Sequence, residues 1–177
     1  MEIYLIRHTK PDIAKGICYG QTDLALAESF AEETDIIRTK LKGQATSLAI
    51  FSSPLRRCAA LAKALFPEVS ITEDPRLMEL DFGSWEMLAW EAIPKAEITP
   101  WMEDFVQVPC PSGESYRQLY DRCVAFITDL QQQKTDKAII ITHGGPIRAI
   151  HAHFNDIALK DSFSLKVEYG EVLKLKG

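Results

Sequence analysis

Three short apolar runs, Ile3–Ile6, Leu48–Phe51 and Ala138–Thr142, constrain this chain more than any other feature. Apolar runs of this length without polar alternation read as strands buried on both faces, as in the middle of a parallel sheet covered by helices. Each run stops on polar groups: Arg7-His8-Thr9, Ser52-Ser53-Pro54 and His143-Gly144-Gly145-Pro146. Ligands of open α/β sheets bind outside the carboxyl ends of the strands, so these residues are placed to face a substrate.

The connecting segments carry helical spacing. Residues 23–42 predict a helix, capped by Asp23, with Leu24, Ala27, Ala31, Thr34, Ile37 and Leu41 on one face and Gly43 closing it. Ser53 as cap and Pro54 at the first helical position predict a second helix, running through Leu55, Cys58, Ala62, Leu65 and Phe66. Val69-Ser70-Ile71 is a further strand candidate. Ser115-Tyr116-Arg117-Gln118 is a capping-box pattern opening a helix with Tyr116, Leu119, Cys123, Ile127 and Leu130 inward, ended by the polar run 131–136. A helix over Ile147–Phe154 and one or two edge strands around Gly170 complete the reading. His151 and His153, two residues apart on that helix, point to different faces and read as surface residues.

Two segments resist periodic reading. Residues 10–23, with Pro11, Gly16 and Gly20, form a long loop leaving the suspected reactive end of the first strand, which makes Gln21 and Thr22 candidate substrate contacts or holders of loop backbone. Residues 87–111, broken by Pro94, Pro100 and Pro109, hold one short helix and look like a cap over a cleft. Trp90, Trp101, Met102 and Phe105 line that cleft or pack the cap down.

Composition narrows the function. With 177 residues, 46% hydrophobic and 25% charged, one domain with a full core is expected, with about 70% of the unfolded surface buried. A net charge of −5 argues against nucleic acid or an anionic membrane as main partner. Cys18, Cys58, Cys110 and Cys123 show no zinc-like spacing and read as reduced thiols. The amino terminus has no signal-peptide pattern, and no stretch is long enough to span a bilayer, so a cytoplasmic protein is expected, as monomer or homodimer.

The chemistry lies in what converges at the strand ends: Arg7 with His8, Arg57 behind Ser53, Glu79, and His143 with the helix amino terminus at Gly144. Two arginines and two histidines without a metal motif suit a phosphoryl group, so a small phosphorylated substrate is expected. Guanidinium groups hold its oxygens bidentately, and one histidine attacks phosphorus in line. Glu79, alternating with Met78, Leu80 and Phe82, has the partly desolvated setting of a general acid and can protonate an alkoxide leaving group. A cysteine phosphatase loop would need Cys-x5-Arg, and Cys110 to Arg117 is one residue too long.

These elements resemble the histidine phosphatase (phosphoglycerate mutase-like) superfamily. Arg7-His8-Thr9 matches its strand-end hallmark. Ser53-Pro54-Leu55-Arg56-Arg57-Cys58 matches Ser-x-Leu-x-Arg-Ala/Cys, which places the pocket arginine on Arg57. Glu79-Leu80-Asp81-Phe82-Gly83-Ser84-Trp85-Glu86 matches Glu-x-x-Phe-Gly-x-Trp-Glu, and His143-Gly144-Gly145-Pro146-Ile147-Arg148 carries the second histidine. The resemblance implies a three-layer α/β/α sandwich with a mostly parallel central sheet and no metal or organic cofactor. It also implies a phosphohistidine on His8, Glu79 as acid then base, and Arg7, Arg57 and a protonated His143 balancing phosphoryl charge. Arg7, Gln21, Thr22, Arg57, His143 and Gly144 are then the substrate-binding set. Cys18-Tyr19-Gly20-Gln21-Thr22-Asp23 and Pro111-Ser112-Gly113-Glu114-Ser115 are most similar to the alpha-ribazole phosphatases of cobalamin biosynthesis, with Met87 and Ala14 departing from the usual glycine and asparagine.

Overall fold

The computed structural model describes residues 1–42, 48–133 and 135–176. Its sheet has five strands in the order β3-β2-β4-β1-β5: β1 Glu2–Arg7, β2 Leu48–Ser52, β3 Ile71–Glu73, β4 Lys137–Thr142 and β5 Val172–Lys176. The first four are mutually parallel, and β5 runs antiparallel on the edge beside β1. Successive side chains of a strand face opposite sides, and here that alternation builds two cores. Ile3, Leu5, Phe51, Ala138 and Ile140 pack on α4 (Tyr116–Gln132) and α5 (Gly144–Phe154). Tyr4, Ile6, Ile50, Ile139 and Ile141 pack on α1 (Phe30–Lys40) and α2 (Arg56–Leu65). Three layers follow from a sheet that must bury both faces.

Register then fixes the site. Arg7 pairs with Thr142 and Ser52 with Ile141, so His8, Ser53 and His143 leave three adjacent strands at one level. The Thr142 hydroxyl donates to the Leu77 carbonyl at 2.6 Å and ties the turn carrying Glu79 to the same end.

Several expected boundaries move for identifiable reasons. The helix predicted from Asp23 begins at Phe30, because the backbone of 25–27 is bonded to the first loop: Asp12 N–H donates to Ala25 O and Ala27 N–H to Lys10 O. Gly43 lies outside the described residues. Asp23 instead accepts the Arg56 N–H at 2.7 Å, capping α2 across space. That helix starts at Arg56 and not at Pro54, since Ser53 to Leu55 form the turn that delivers Ser53 to His143. The third strand is Ile71–Glu73 and not 69–71, and α5 opens at Gly144 rather than at Ile147. The capping box at Ser115 and Gln118 forms with both bonds. In the tail, 159–164 is a 3₁₀ turn and only Val172–Lys176 is a strand.

The 87–111 segment contains the 3₁₀ turn Trp90–Ala92 and α3 (Lys95–Glu103). Trp85, Trp90, Trp101 and Phe105 pack ring against ring there, while Met102 is 67% exposed and faces solvent.

Candidate active site

His8 is buried at the end of β1, 1% exposed, and its Nδ1 lies 2.6 Å from the Thr9 carbonyl. A carbonyl only accepts, so the proton sits on Nδ1 and Nε2 carries the free lone pair. Burial, then the Arg57 charge, hold its pKa well below the ordinary histidine range despite the opposing Thr9 bond. A neutral imidazole with a fixed tautomer is the state a nucleophile needs.

The neighbouring charges are arginines without counter-ions. Arg7 donates from Nη1 to Val167 O at 2.5 Å and stacks on Tyr169 at 4.0 Å, and its buried Nε has no hydrogen-bond partner. Arg57, fully buried, donates to Gly20 O at 2.5 Å, Thr22 O at 2.9 Å and His143 Nδ1 at 3.3 Å. Among the described residues neither guanidinium pairs with a carboxylate. A buried cation left without a counter-ion is costly, and an incoming anion relieves that cost.

His143 stands edge-on to His8, ring centroids 5.0 Å apart, and is fully buried. Its Nδ1 accepts from Arg57, so its proton is on Nε2 and goes to Ser53 Oγ at 2.8 Å. Burial, then His8 and Arg57, hold its pKa well below the usual value. An Nδ1 that accepts from Arg57 carries no proton, so in this geometry Arg7 and Arg57 hold the positive charge beside His8.

Glu79 completes the set at the amino terminus of α5. Gly145 N–H donates to its two oxygens at 3.1 and 3.2 Å, and Leu80 N–H to one at 2.9 Å. Gly145 has to be a glycine, because a Cβ would lie 2.2 Å from Glu79 Oε1. Gly144 lies against the Arg7 guanidinium, where a Cβ would sit 3.6 Å from its carbon.

With that geometry in place, comparison with known proteins is decisive. A model of the histidine phosphatase superfamily (branch 1) matches residues 3–177. The chain belongs to the histidine phosphatase superfamily. It is 32% identical over 162 residues to a metal-independent phosphoserine phosphatase of Arabidopsis thaliana, covering 85% of this chain and 67% of that protein. Phosphoserine phosphatase 1 of Hydrogenobacter thermophilus is 25% identical over 171 residues, covering 93% and 81%. The alpha-ribazole phosphatase of Shigella flexneri superposes with a TM-score of 0.91 over 99% of this chain and 90% of that one, at 21% identity, a likeness of fold.

In this histidine phosphatase, a cavity of about 220 Å³ opens beside the reactive end of the sheet. Arg7, His8 and Glu79 line it together with Phe82, Trp90, Tyr116, Phe163 and Arg148. An adjoining cavity of about 410 Å³ over the 10–17 loop is larger but touches neither His8 nor Glu79. Of the cap residues expected to line the cleft, Trp90 does so, while Trp101 and Phe105 pack beneath it. Gln21 and Thr22 lie outside the cavity lining. The Thr22 N–H and hydroxyl and the Gln21 N–H bind Glu86, and the Gln21 amide donates to Glu79 O. They are placed to hold backbone, the alternative the loop reading left open.

Four groups that bear on the site were given no role from sequence. Arg148 fixes only Nε, on Leu165 O at 3.0 Å, and turns its guanidinium over Phe163 at the cavity wall. Tyr19 and Tyr169 join hydroxyl to hydroxyl at 2.6 Å, above Arg57 and Arg7 respectively. Glu86 anchors the 20–22 run. The signal for Arg148 and Glu86 was present, since both stand inside quoted motifs, but the contact of Tyr19 with Tyr169 spans 150 residues and has no local trace. His153 is exposed and bonds Tyr120, while His151 is half-buried rather than at the surface. No group of three His, Cys, Asp or Glu able to hold a metal occurs among the described residues, where no helix is long and apolar enough to cross a membrane.

Proposed function

We propose that this chain hydrolyses phosphomonoesters through a phosphohistidine on His8, with alpha-ribazole 5′-phosphate as its substrate. The observation that carries the mechanism is the Nδ1–H bond of His8 to Thr9 O, which leaves Nε2 as nucleophile in a cavity wall shared with Glu79. The Nε2 lone pair attacks phosphorus while the bond to the alcohol oxygen breaks and Glu79 delivers its proton to that oxygen. Water then attacks the phosphohistidine, Glu79 takes the water proton, the P–N bond breaks, and inorganic phosphate leaves. Arg7 and Arg57 hold the non-bridging oxygens throughout.

For the leaving alcohol, the aromatic rings of Phe82, Trp90, Tyr116 and Phe163 in the cavity lining suit a heteroaromatic base, and the Cys18–Asp23 segment agrees with that reading. A second reading, an alcohol bearing a carboxylate such as phosphoserine, is favoured by Arg148, which lines the same cavity. Phosphate release from alpha-ribazole 5′-phosphate, phosphoserine, 3-phosphoglycerate and fructose 2,6-bisphosphate, with His8→Ala alongside, tests both levels. The largest kcat/KM for alpha-ribazole 5′-phosphate, lost in the variant, is expected. A preference for phosphoserine keeps the mechanism and replaces the substrate. Turnover surviving in His8→Ala refutes the phosphohistidine.

A further inference from the structure

Glu86 ends the Gly83–Trp85 turn and has no cation partner among the described residues. Its carboxylate accepts instead from Gly20 N–H at 3.0 Å, Gln21 N–H at 2.9 Å, Thr22 N–H at 3.1 Å, the Thr22 hydroxyl at 2.5 Å and Phe82 N–H at 3.2 Å. Burial pushes its pKa up, but the Thr22 hydroxyl and the three loop N–H groups outweigh that and hold it below the usual carboxylate range. Gly20 admits this approach because a Cβ there would lie 1.8 Å from Leu80 O and 2.8 Å from Glu86 Oε1.

The reverse side of the same run faces Arg57. In a planar trans peptide the C=O and N–H point in opposite directions. The Gln21 N–H held by Glu86 belongs to the same peptide unit as the Gly20 carbonyl, which is thereby aimed at Arg57 Nη2. The Thr22 carbonyl, on a residue pinned twice to Glu86, takes Arg57 Nη1. One carboxylate on one side of the loop and one guanidinium on the other form a single relay that ends on His143.

We propose that Glu86 is a positioning residue for phosphoryl transfer, fixing the 20–22 peptide units so that their carbonyls orient the Arg57 guanidinium beside His143. This rests on Arg57 as a phosphoryl-holding group. A small misplacement of such a group costs up to about 100-fold in rate.

A double-mutant cycle tests it. Glu86→Gln keeps the shape but turns an NH₂ towards N–H donors. It is expected to lower kcat/KM for p-nitrophenyl phosphate roughly 10–100-fold in the wild-type background and less than about threefold on Arg57→Ala. Each variant's unfolding temperature is recorded beside its rate and is expected to stay above the assay temperature, so that the loss is one of position and not of fold. Equal factors in both backgrounds overturn the proposal. Thr22→Val, which removes one donor to Glu86, gives a second cycle should Glu86→Gln not fold, with the same non-additivity expected. If no phosphomonoester is turned over, the cycle is read from the dissociation constant of orthovanadate. An Arg57→Ala variant that binds and turns over as wild type removes Arg57 from the phosphoryl site and the proposal with it, whereas turnover surviving in His8→Ala strikes only the phosphohistidine.

Discussion

Arg57→Ala is the sharpest perturbation of the reactive end. In the structure this guanidinium is fully buried, has no carboxylate partner and is oriented by three fixed acceptors, so its reorganisation on binding a phosphoryl group is small. Removing one preorganised donor from a transition state costs about 2.7–4 kcal/mol, a factor of 10²–10³ in kcat. Three of its five N–H groups are held by those acceptors and two remain for phosphoryl oxygens, so the loss belongs at the upper end of that range or beyond it. Folding responds differently. The Gly20 and Thr22 carbonyls lose their partner, at roughly 1–3 kcal/mol for each group left buried and unsatisfied, while loss of an unpaired buried cation offsets part of this. The assay is kcat/KM for p-nitrophenyl phosphate beside thermal unfolding, in Arg57→Ala and Arg57→Lys. The expected outcome is a loss of 10³ or more in the alanine variant, with unfolding still cooperative. Lysine recovers part of it through charge without the fork geometry. Turnover of Arg57→Ala within about threefold of wild type, far inside the span expected for a lost donor, would refute the assignment of Arg57 to the phosphoryl site.

Three further outcomes are expected. Burial and the neighbouring arginines hold the His8 and His143 pKa values well below the ordinary histidine value of about 6.5, so the unfolded chain binds more protons than the folded one as pH falls under 6.5. Stability is thus complete above that pH and lost below it, at up to about 1.4 kcal/mol per pH unit for each ring; a thermal-unfolding series from pH 7 to 5 is expected to slope downward and to flatten in His143→Gln. Gly145→Ala forces a Cβ to within 2.2 Å of Glu79 Oε1 and is expected to lower kcat up to about 100-fold with KM much less affected, measured by steady-state kinetics. Arg148→Met is expected to cost 3-phosphoglycerate roughly 10–100-fold more in kcat/KM than glycerol 3-phosphate, the span of a charge-assisted hydrogen bond of about 1.5–3 kcal/mol; equal losses on the two substrates would detach Arg148 from the leaving group.

Strands β1, β2 and β4 and the capping box were legible because they rest on local chemistry: an apolar run has few places to go but a buried sheet, and Ser115 and Gln118 satisfy each other's backbone within one turn. The start of α1 was not legible, because residues 24–27 have acceptable helical spacing yet their backbone is bonded to the 10–12 loop. Asp23 shows the same limit. It reads as a cap and is one, but for α2 rather than for the helix that follows it.

For the site, residue types at strand ends placed His8, Arg57, Glu79 and His143 in one chemistry, since parallel strands with intervening helices bring their carboxyl ends together whatever the loops do. Protonation was beyond that reading. Whether His143 carries a charge depends on Arg57 Nε lying 3.3 Å from its Nδ1 and on complete burial, both of which arise only once β2 and β4 pair. Likewise Gln21 and Thr22 look like substrate contacts in a loop, and only their closure onto Glu86, 64 or more residues away, turns them towards holding the arginine. Sequence alone determined the buried strands β1, β2 and β4 and the reactive groups His8 and His143 at their ends, because both follow from local pattern. Which way each group points, which proton it holds and what it holds in turn were decided by long-range contacts that no local pattern encodes.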